Sequence, residues 1–295
     1  MTRKVFIVGC GYTGRHLAAR ERARGARLRA LARSQASVQR LRSVGIEPIA
    51  ADLDQPESLQ ALQVADALIY YFAPPPEHGL DDPRIEAFLD AISTGGLPER
   101  LVLISTTSVY GDCAGKWINE EQPPNPQTDR ARRRLAAEQA ARAWSERTVI
   151  PIVILRVAGI YGPGRLPVER LKRRLPTLLE AQSPWSNRVH VDDLVEACLA
   201  AGDRGGPGRI YNVSDGNPST MTDYFDRVAD VLGLARAPQV TMDEAKSVMS
   251  PEILSYLGES RRLDNARMRL ELGVTPRYPT LSAGLAACVG EWSVE

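Results

Sequence analysis

Charge of one sign is not in excess: Lys+Arg 37 stand against Asp+Glu 36, a formal net charge of +1. That excludes the broad basic field of a general nucleic-acid or membrane-surface binder. No apolar run approaches the roughly 20 residues that span a bilayer, so no membrane partner is expected. The opening MTRKVFIVGCG passes from basic residues into a short apolar run ending in glycine, which reads as a first strand and not as a secretory leader. The four cysteines, Cys10, Cys113, Cys198 and Cys288, never stand at C-x-x-C spacing, and the histidines are only His16, His78 and His190. No metal site is expected from such a set, and scattered cysteines suit reduced thiols in the cytoplasm. Glycine (23) and proline (21) are too few among 295 residues for a low-complexity chain. Lysine is the scarcest of the common charges: Lys4, Lys116, Lys172 and Lys246 are all there is.

Seven short apolar runs punctuate the chain: Lys4–Val8, Leu28–Ala32, Pro48–Ala51, Ala67–Phe72, Leu101–Ser105, Ile150–Arg156 and Arg209–Val213. Their apolar residues run consecutively, as in strands of a sheet covered on both faces. Helical patterns lie between them, among them Gly14–Arg24, Arg84–Ser93 and Thr128–Arg147. In the last, Leu135, Ala136, Gln139, Ala140 and Ala143 form a weakly apolar face. This alternation predicts an α/β fold, a Rossmann-like doubly wound parallel sheet. After Arg156 the rhythm changes, and helices are expected at Tyr224–Leu232 and Thr280–Val289. The expected division is a dinucleotide-binding part, 1–164 plus 188–213, and a smaller, mostly helical C-terminal substrate lobe, 165–187 plus 214–295. The cleft between them is the default ligand site.

Gly9-Cys10-Gly11-Tyr12-Thr13-Gly14 is a G-x-G-x-x-G closing the first strand and opening a helix, the context that gives this motif meaning. The first glycine permits the tight turn, the second lets backbone approach a pyrophosphate, and the third lets helix pack on strand. Gly9, Gly11, Tyr12, Thr13 and Gly14 are therefore the candidate phosphate-binding residues, at a helix N-terminus. An acidic residue at the end of the second strand would bind the ribose 2′-OH of NAD. Here that position holds Arg33-Ser34. A guanidinium can instead donate to a 2′-phosphate, so the expected cofactor is NADP, with Arg33 and Ser34 as its adenosine-end contacts.

Further ordered segments carry a resemblance: Asp52-Leu53, Ile69-Tyr70-Tyr71-Phe72-Ala73, Leu103 to Gly111 (LISTTSVYG), Leu155 to Gly164 (LRVAGIYGPG), Val189 to Leu194 (VHVDDL) and Ile210 to Asp215 (IYNVSD). Together with the glycine turn they resemble the extended short-chain dehydrogenase/reductase family, the group of NAD(P)-dependent epimerases and dehydratases. The turn departs from that family's usual T-G-x-x-G-x-x-G and looks like its atypical branch. The resemblance implies adenine contact by Asp52 and Leu53, cofactor contact by Phe72, Ala73 and Val157, and an active-site hydroxyl at Thr106.

It also implies a Tyr-x-x-x-Lys pair in the Thr128–Arg147 helix, and that pair is absent. Aligning Arg134-Leu135-Ala136-Ala137-Glu138 with the family's K-L-x-x-E places Arg134 at the lysine and Arg130 at the tyrosine. No change of register restores the pair: between Gly111 and Ile160 there is no tyrosine, and the one lysine is Lys116. Arginine does not release its proton near neutral pH. Arg134 remains a candidate at the lysine position. Tyr110, Asp112 and Tyr161 follow strand ends; packing or turn roles are preferred for the last two, and Tyr110 stays open as a catalytic candidate. Asp81 and Asp82 either replace an active-site Asn or cap a helix beginning at Pro83, and capping is preferred.

The remaining features have plain readings. His190 with Asp192 and Asp193 is expected to start a helix with an Asp as N-cap. The run Arg130, Arg132, Arg133, Arg134 is expected to spread over a solvated face. Arg165, Arg170, Lys172, Arg173 and Arg174 either attract a phosphorylated substrate or decorate a surface helix. Trp185 is expected to plug the lobe interface. The functional expectation is an NADP-binding, epimerase/dehydratase-like oxidoreductase acting on a carbonyl or hydroxyl of a small, sugar-like or nucleotide-linked substrate, a nucleotide sugar being one candidate. A homodimer is an open expectation. The alternative is a catalytically degenerate NADPH-binding regulatory or sensor protein.

Overall fold

The computed structural model describes residues 2–60 and 62–290; positions 1, 61 and 291–295 of the expected division lie outside them. Seven strands form one parallel sheet: β1 (Lys4–Val8), β2 (Arg27–Ala32), β3 (Glu47–Ala50), β4 (Ala67–Tyr71), β5 (Arg100–Thr106), β6 (Ile152–Val157) and β7 (Ile210–Val213). Their spatial order is β7-β6-β5-β4-β1-β2-β3. The order reverses between β1 and β4, which pair with Val5 opposite Leu68. A doubly wound sheet opens its ligand crevice at that reversal, beyond the C-terminal strand ends.

The consecutive apolar runs are consecutive because both faces are covered. In β4 and β6 every residue is buried. On one face α1 (Tyr12–Ala23), α2 (Gln35–Ser43) and α5 (Val191–Arg204) bury Leu17, Leu41 and Leu194. On the other, α3 (Pro83–Thr94) and α4 (Asp129–Thr148) bury Phe88, Ile92 and Trp144. The strand expected buried at Pro48–Ala51 is instead the half-exposed sheet edge Glu47–Ala50. Pro48 has no N–H for a further neighbour, which suits an edge.

The expected apolar face of α4 is wrong. Leu135, Ala136 and Ala140 are half-buried and Gln139 and Ala143 are exposed, while Ala131, Ala137, Ala141 and Trp144 turn inward with Arg133 and Glu138. Two polar anchors, Trp144 and Glu138, set this rotation. Trp144 donates its indole N–H to Ser93 Oγ at 2.8 Å. Glu138 accepts from Arg156 Nε at 3.1 Å and Nη2 at 2.7 Å, and from Ser105 Oγ at 2.5 Å. Arg156 and Glu138 are both buried, so this ion pair ties α4 to β5 and β6 in a low-dielectric interior.

Beyond β7 the chain is mostly helical, including α6 (Met221–Val231), α7 (Pro251–Leu257) and α8 (Leu281–Gly290). α6 and α8 pack Tyr224, Val228 and Leu285 around Tyr161. A short strand, Arg188–His190, pairs in parallel with Gly159–Tyr161, just past β6.

Removing one partner of a buried pair leaves an uncompensated charge, at a cost of about 3–5 kcal/mol. Glu138→Ala is expected to lower unfolding free energy by that amount in urea titration. The triple change Glu138→Met, Arg156→Met, Ser105→Ala is expected to recover most of it.

Candidate active site

The three glycines of the turn have three different surroundings. At Gly9 φ is +90°, and a Cβ there would lie 2.6 Å from Ala73 N. A Cβ on Gly14 would lie 2.8 Å from Gly9 O, so β1, β4 and α1 close on one another only without side chains. A Cβ on Gly11 would meet no protein atom within 4 Å; the space it faces is open. No side chain caps the start of α1, and no acid occupies its first turn. Free N–H groups and the positive dipole end thus face the crevice, as an anion requires. Thr13 is buried behind them, and Tyr12 directs its hydroxyl to Pro163 O at 2.9 Å. These two residues would serve a phosphate through backbone N–H groups.

Beside the turn lies a cavity of about 360 Å³ lined by Gly9, Gly11, Arg15, Arg33, Ser34, Ser37, Arg40 and Phe72, with Cys10, Leu31, Leu41, Val44 and Pro74 completing it. It holds three guanidiniums and no carboxylate. Ser34 also caps α2, its hydroxyl accepting from Ser37 N at 3.2 Å. Arg15, Ser37 and Arg40 were not anticipated. The signal was helical spacing: Ser37, Arg40, Leu41 and Val44 share one face of α2. Cys10 is half-buried there, and burial pushes its thiol up to about 11. Asp52 and Leu53 stand outside this lining. Asp52 accepts from Asp54 N at 3.1 Å and donates its own N–H to Ser58 Oγ at 2.9 Å, closing a turn on itself.

Toward the other end, β4, β5 and β6 finish side by side. Arg134 reaches up from α4 and donates to Ala73 O at 3.2 Å and Ile104 O at 3.4 Å. It thereby joins the exits of β4 and β5 beneath the crevice, and burial lowers its pKa. Thr106 ends β5, and its Oγ1 accepts from Ser108 N at 3.3 Å, which leaves its O–H to donate elsewhere. Tyr110 does not face the crevice. It is fully buried, donates to Asn212 Oδ1 at 2.7 Å, lies under the Arg156 guanidinium, and is pushed up to about 12 by burial.

A second cavity of about 360 Å³ begins at these strand ends, lined by Thr106, Thr107 and Ser108 from one side and by Val157 to Ile160 from beneath. The opposite wall is supplied by Arg188 from the short strand Arg188–His190 and by Tyr224, Ile253 and Tyr256 from the helical part of the chain. Arg130 does not lie on a solvated face. Its Nη1 donates to Ser255 Oγ at 2.7 Å and its Cζ stands 3.7 Å from the centre of the Tyr256 ring. Arg133 is buried and donates to Gly79 O at 2.7 Å. Only Arg132 of the basic run is exposed, paired with Asp129 at 2.8 Å. Four arginines in five positions read as surface because helix geometry spreads them; three found partners far off in sequence.

A family model for the NAD dependent epimerase/dehydratase family matches residues 5–214. The chain belongs to that family. Protein YeeZ of Escherichia coli (strain K12) is 28% identical over 288 residues, 94% of this chain and 97% of its own length. A functionally unknown conserved protein from Silicibacter pomeroyi DSS superposes with a TM-score of 0.85 at 30% identity, over 99% of this chain and 100% of that one. UDP-glucuronic acid 4-epimerase from Bacillus cereus, solved with UDP-glucuronic acid and NAD, has the same fold: TM-score 0.76, 20% identity, 98% and 99% coverage.

Several residues take structural posts within this family fold. Asp82 caps α3, accepting from Ile85 N at 3.3 Å. The N-cap of α5 is His190 itself, not an Asp: its Nδ1 accepts from Asp192 N at 3.2 Å. Asp193 instead accepts from Arg277 N at 2.7 Å and Tyr278 N at 3.0 Å, fastening the segment before α8. Asp112 accepts from Ala114 N and Ser260 N, and Tyr161 is buried in the core. Trp185 is no plug. It is 38% exposed, lines the second cavity, and stacks with Arg262 at 5.1 Å. Arg165 covers Tyr12 and Arg170 covers Phe225; none of the basic residues from 165 to 174 lines the second cavity. Among the described residues the four cysteines form no disulfide. Among the described residues no helix is long and apolar enough to cross a membrane, and no cluster of ligands could hold a metal.

The glycines separate fold from binding. Gly11→Ala meets no protein atom, so its melting temperature is expected to match wild type while dinucleotide affinity, read by nicotinamide fluorescence, falls at least tenfold. Gly9→Ala, which drives a Cβ into Ala73, is expected to lower both.

Proposed function

We propose that this family member is an NADP-dependent enzyme acting on a carbonyl or hydroxyl of a sugar-like or nucleotide-linked substrate. One observation supports the reading: the second cavity opens on the ends of β5 and β6 and has both Thr106 and Tyr256 in its lining. We assign cofactor binding to 1–164 with 188–213, and substrate binding to 165–187 with 214–295. Cysteines outside any disulfide suit a reducing cytoplasm. The UDP sugar and NAD held by the Bacillus cereus epimerase support the substrate class at the level of the fold.

The choice of NADP rests on charge. A ribose 2′-OH calls for a carboxylate, and a 2′-phosphate calls for donors and positive charge. The cavity beside the glycine turn supplies Arg33, Arg40 and Ser34, and no acid. Bound there, NADPH would supply the hydride. The residues of the chain would do the rest. Gly9, Gly11 and the first turn of α1 would hold the pyrophosphate, Phe72, Ala73 and Val157 would line the path to the second cavity, and Arg134 would keep the β4 and β5 exits in register. Thr106 would donate its free O–H to the substrate oxygen and orient it.

Neither Arg130 nor Arg134 passes a proton near neutral pH. We assign that task to Tyr256, whose ring is held face-on against Arg130 at 3.7 Å. A phenol thus reaches the cleft on the very guanidinium that occupies the tyrosine's place. The second reading, an NADPH-binding sensor, is favoured by the engagement of both arginines with protein acceptors.

The screen that separates the readings follows NADPH absorbance against nucleotide sugars and small aldehydes. For the enzyme, Thr106→Val is expected to abolish turnover, and Tyr256→Phe to lower kcat by roughly 10²–10⁴ with NADPH affinity unchanged. NADPH-dependent partner association with no turnover across the screen would establish the sensor. Cofactor choice is tested apart: Arg33→Ala with Arg40→Ala is expected to weaken NADPH by about 10- to 100-fold and leave NADH near its wild-type affinity. Equal losses for both would refute the assignment.

A further inference from the structure

Arg188 has no use in the chemistry described so far. It begins the short strand beside Gly159–Tyr161 and stands opposite Gly159 in register, two positions beyond the end of β6. Its side chain crosses that glycine: a Cβ on Gly159 would lie 3.0 Å from its Nη1. The guanidinium then lies against the Tyr224 ring, 4.4 Å from its centre. A guanidinium carries five N–H donors. Among the described residues the one hydrogen bond given by this side chain is Nη1 to Asn187 O at 2.9 Å.

The surroundings offer no counter-ion. Among the described residues no carboxylate lies within ion-pair distance of Arg188. Asp215 acts on it electrostatically without pairing. That carboxyl accepts from Asn217 N at 2.9 Å and is itself pushed up to about 7 by burial. The other deep arginines nearby are all engaged. Arg156 pairs with Glu138 at 2.7 Å, and Arg261 pairs with Glu259 at 2.9 Å and donates to Gly111 O at 2.7 Å. Arg261 lines the second cavity too, but paired; Arg188 lines it with most of its donors unspent. Arg188 is half-buried, and a cation partly withdrawn from water without a counter-ion is unfavourable; a ligand oxyanion is what would offset it.

We infer that Arg188 is the anion-binding group of the substrate cleft, so that the substrate carries a carboxylate or phosphate close to the carbon that reacts. This rests on the reading of the second cavity as the substrate site. The closeness follows from the placement of Arg188. It shares a cavity of about 360 Å³ with Thr106, so an anion on its fork lies within one small molecule's length of that hydroxyl. The planar fork suits two oxygens of one oxyanion, which both groups present. An acidic sugar, a keto acid or a sugar phosphate meets the description; a neutral aldehyde does not.

The test uses NADP-saturated protein, so that the 2′-phosphate cavity is already filled. Malonate and inorganic phosphate are titrated separately by calorimetry, with tryptophan emission as a second signal because Trp185 lines the cleft. Wild type is expected to bind at least one of the two saturably. Preference for malonate would indicate a carboxylate substrate, and preference for phosphate a phosphorylated one. Arg188→Gln is expected to weaken the anion at least tenfold while NADP affinity stays unchanged. Arg188→Lys keeps the charge without the fork, is expected to fall between, and serves in place of Arg188→Gln if that variant does not fold. Failure of wild type to bind either anion, or equal anion affinity in wild type and the variants, would overturn the inference. Neither outcome depends on turnover, so a failed substrate screen and a failed anion titration remain distinguishable.

Discussion

The carboxylate of Glu138 accepts three hydrogen bonds inside the protein, two from Arg156 on β6 and one from Ser105 on β5. That junction fixes the long helix α4 in rotation and in height against the sheet. Positions 134 and 130 lie four and eight residues earlier on the same stripe, one and two helical turns away. With Glu138 locked, Arg134 can only reach the exits of β4 and β5, and Arg130 can only reach the wall of the second cavity. A purely structural ion pair thus decides which side chains α4 presents to the chemistry. It also explains why Arg156 covers Tyr110 at 4.6 Å: the strand that carries the cation runs beside the phenol, and the two are sealed in together, away from the cleft.

What was legible in the sequence is what local physics encodes. A strand buried on both faces must be apolar at successive positions, so all seven strands of the sheet could be located, and only the edge strand around Pro48 was misjudged in burial. A turn that admits no Cβ must be glycine, and Gly9 and Gly14 confirm this by the backbone they touch. The orientation of α4 was not legible. Its inward face is built on Ala131, Ala137 and Ala141, and alanine sits equally well inside or outside a helix; the deciding groups, Glu138 and Trp144, are anchored by residues far away in sequence. Tyr256 left no signal either. Its place depends on α7 packing across α4, a contact between residues 130 and 256 that no local pattern announces. Arg40 falls between these cases, visible only as one residue on a helical stripe beginning at Ser37.

Two arginines at the places where the resemblance implies a Tyr/Lys pair would change what the helix can offer. A phenol and an ammonium can trade protons with their surroundings, whereas a guanidinium stays charged and acts by position and field. Here both guanidiniums are committed. Arg134 is spent on two carbonyls, and Arg130 on Ser255 and the Tyr256 ring. Chemistry that relies on proton transfer must therefore come from outside α4, and α7 is the element that brings a phenol. Such an arrangement makes catalysis conditional on how α7 sits over the cleft. In the family pattern the acid rides on the same helix as its partner and needs no such docking.

The distribution of charge connects the two cavities. A net charge of +1 over the whole chain hides a marked local excess, because acidic groups are absent from the cavity that holds Arg15, Arg33 and Arg40. At the other end the one carboxylate in the lining, Glu259, is consumed by Arg261, and Arg188 is left without a counter-ion. Low-dielectric walls strengthen such fields and attract anions along the crevice. A dinucleotide phosphate laid across the crest would neutralise one end only. The charge at the other end would persist, because a dinucleotide bound at the glycine turn would not reach it, and it belongs to the cavity that Thr106 also lines.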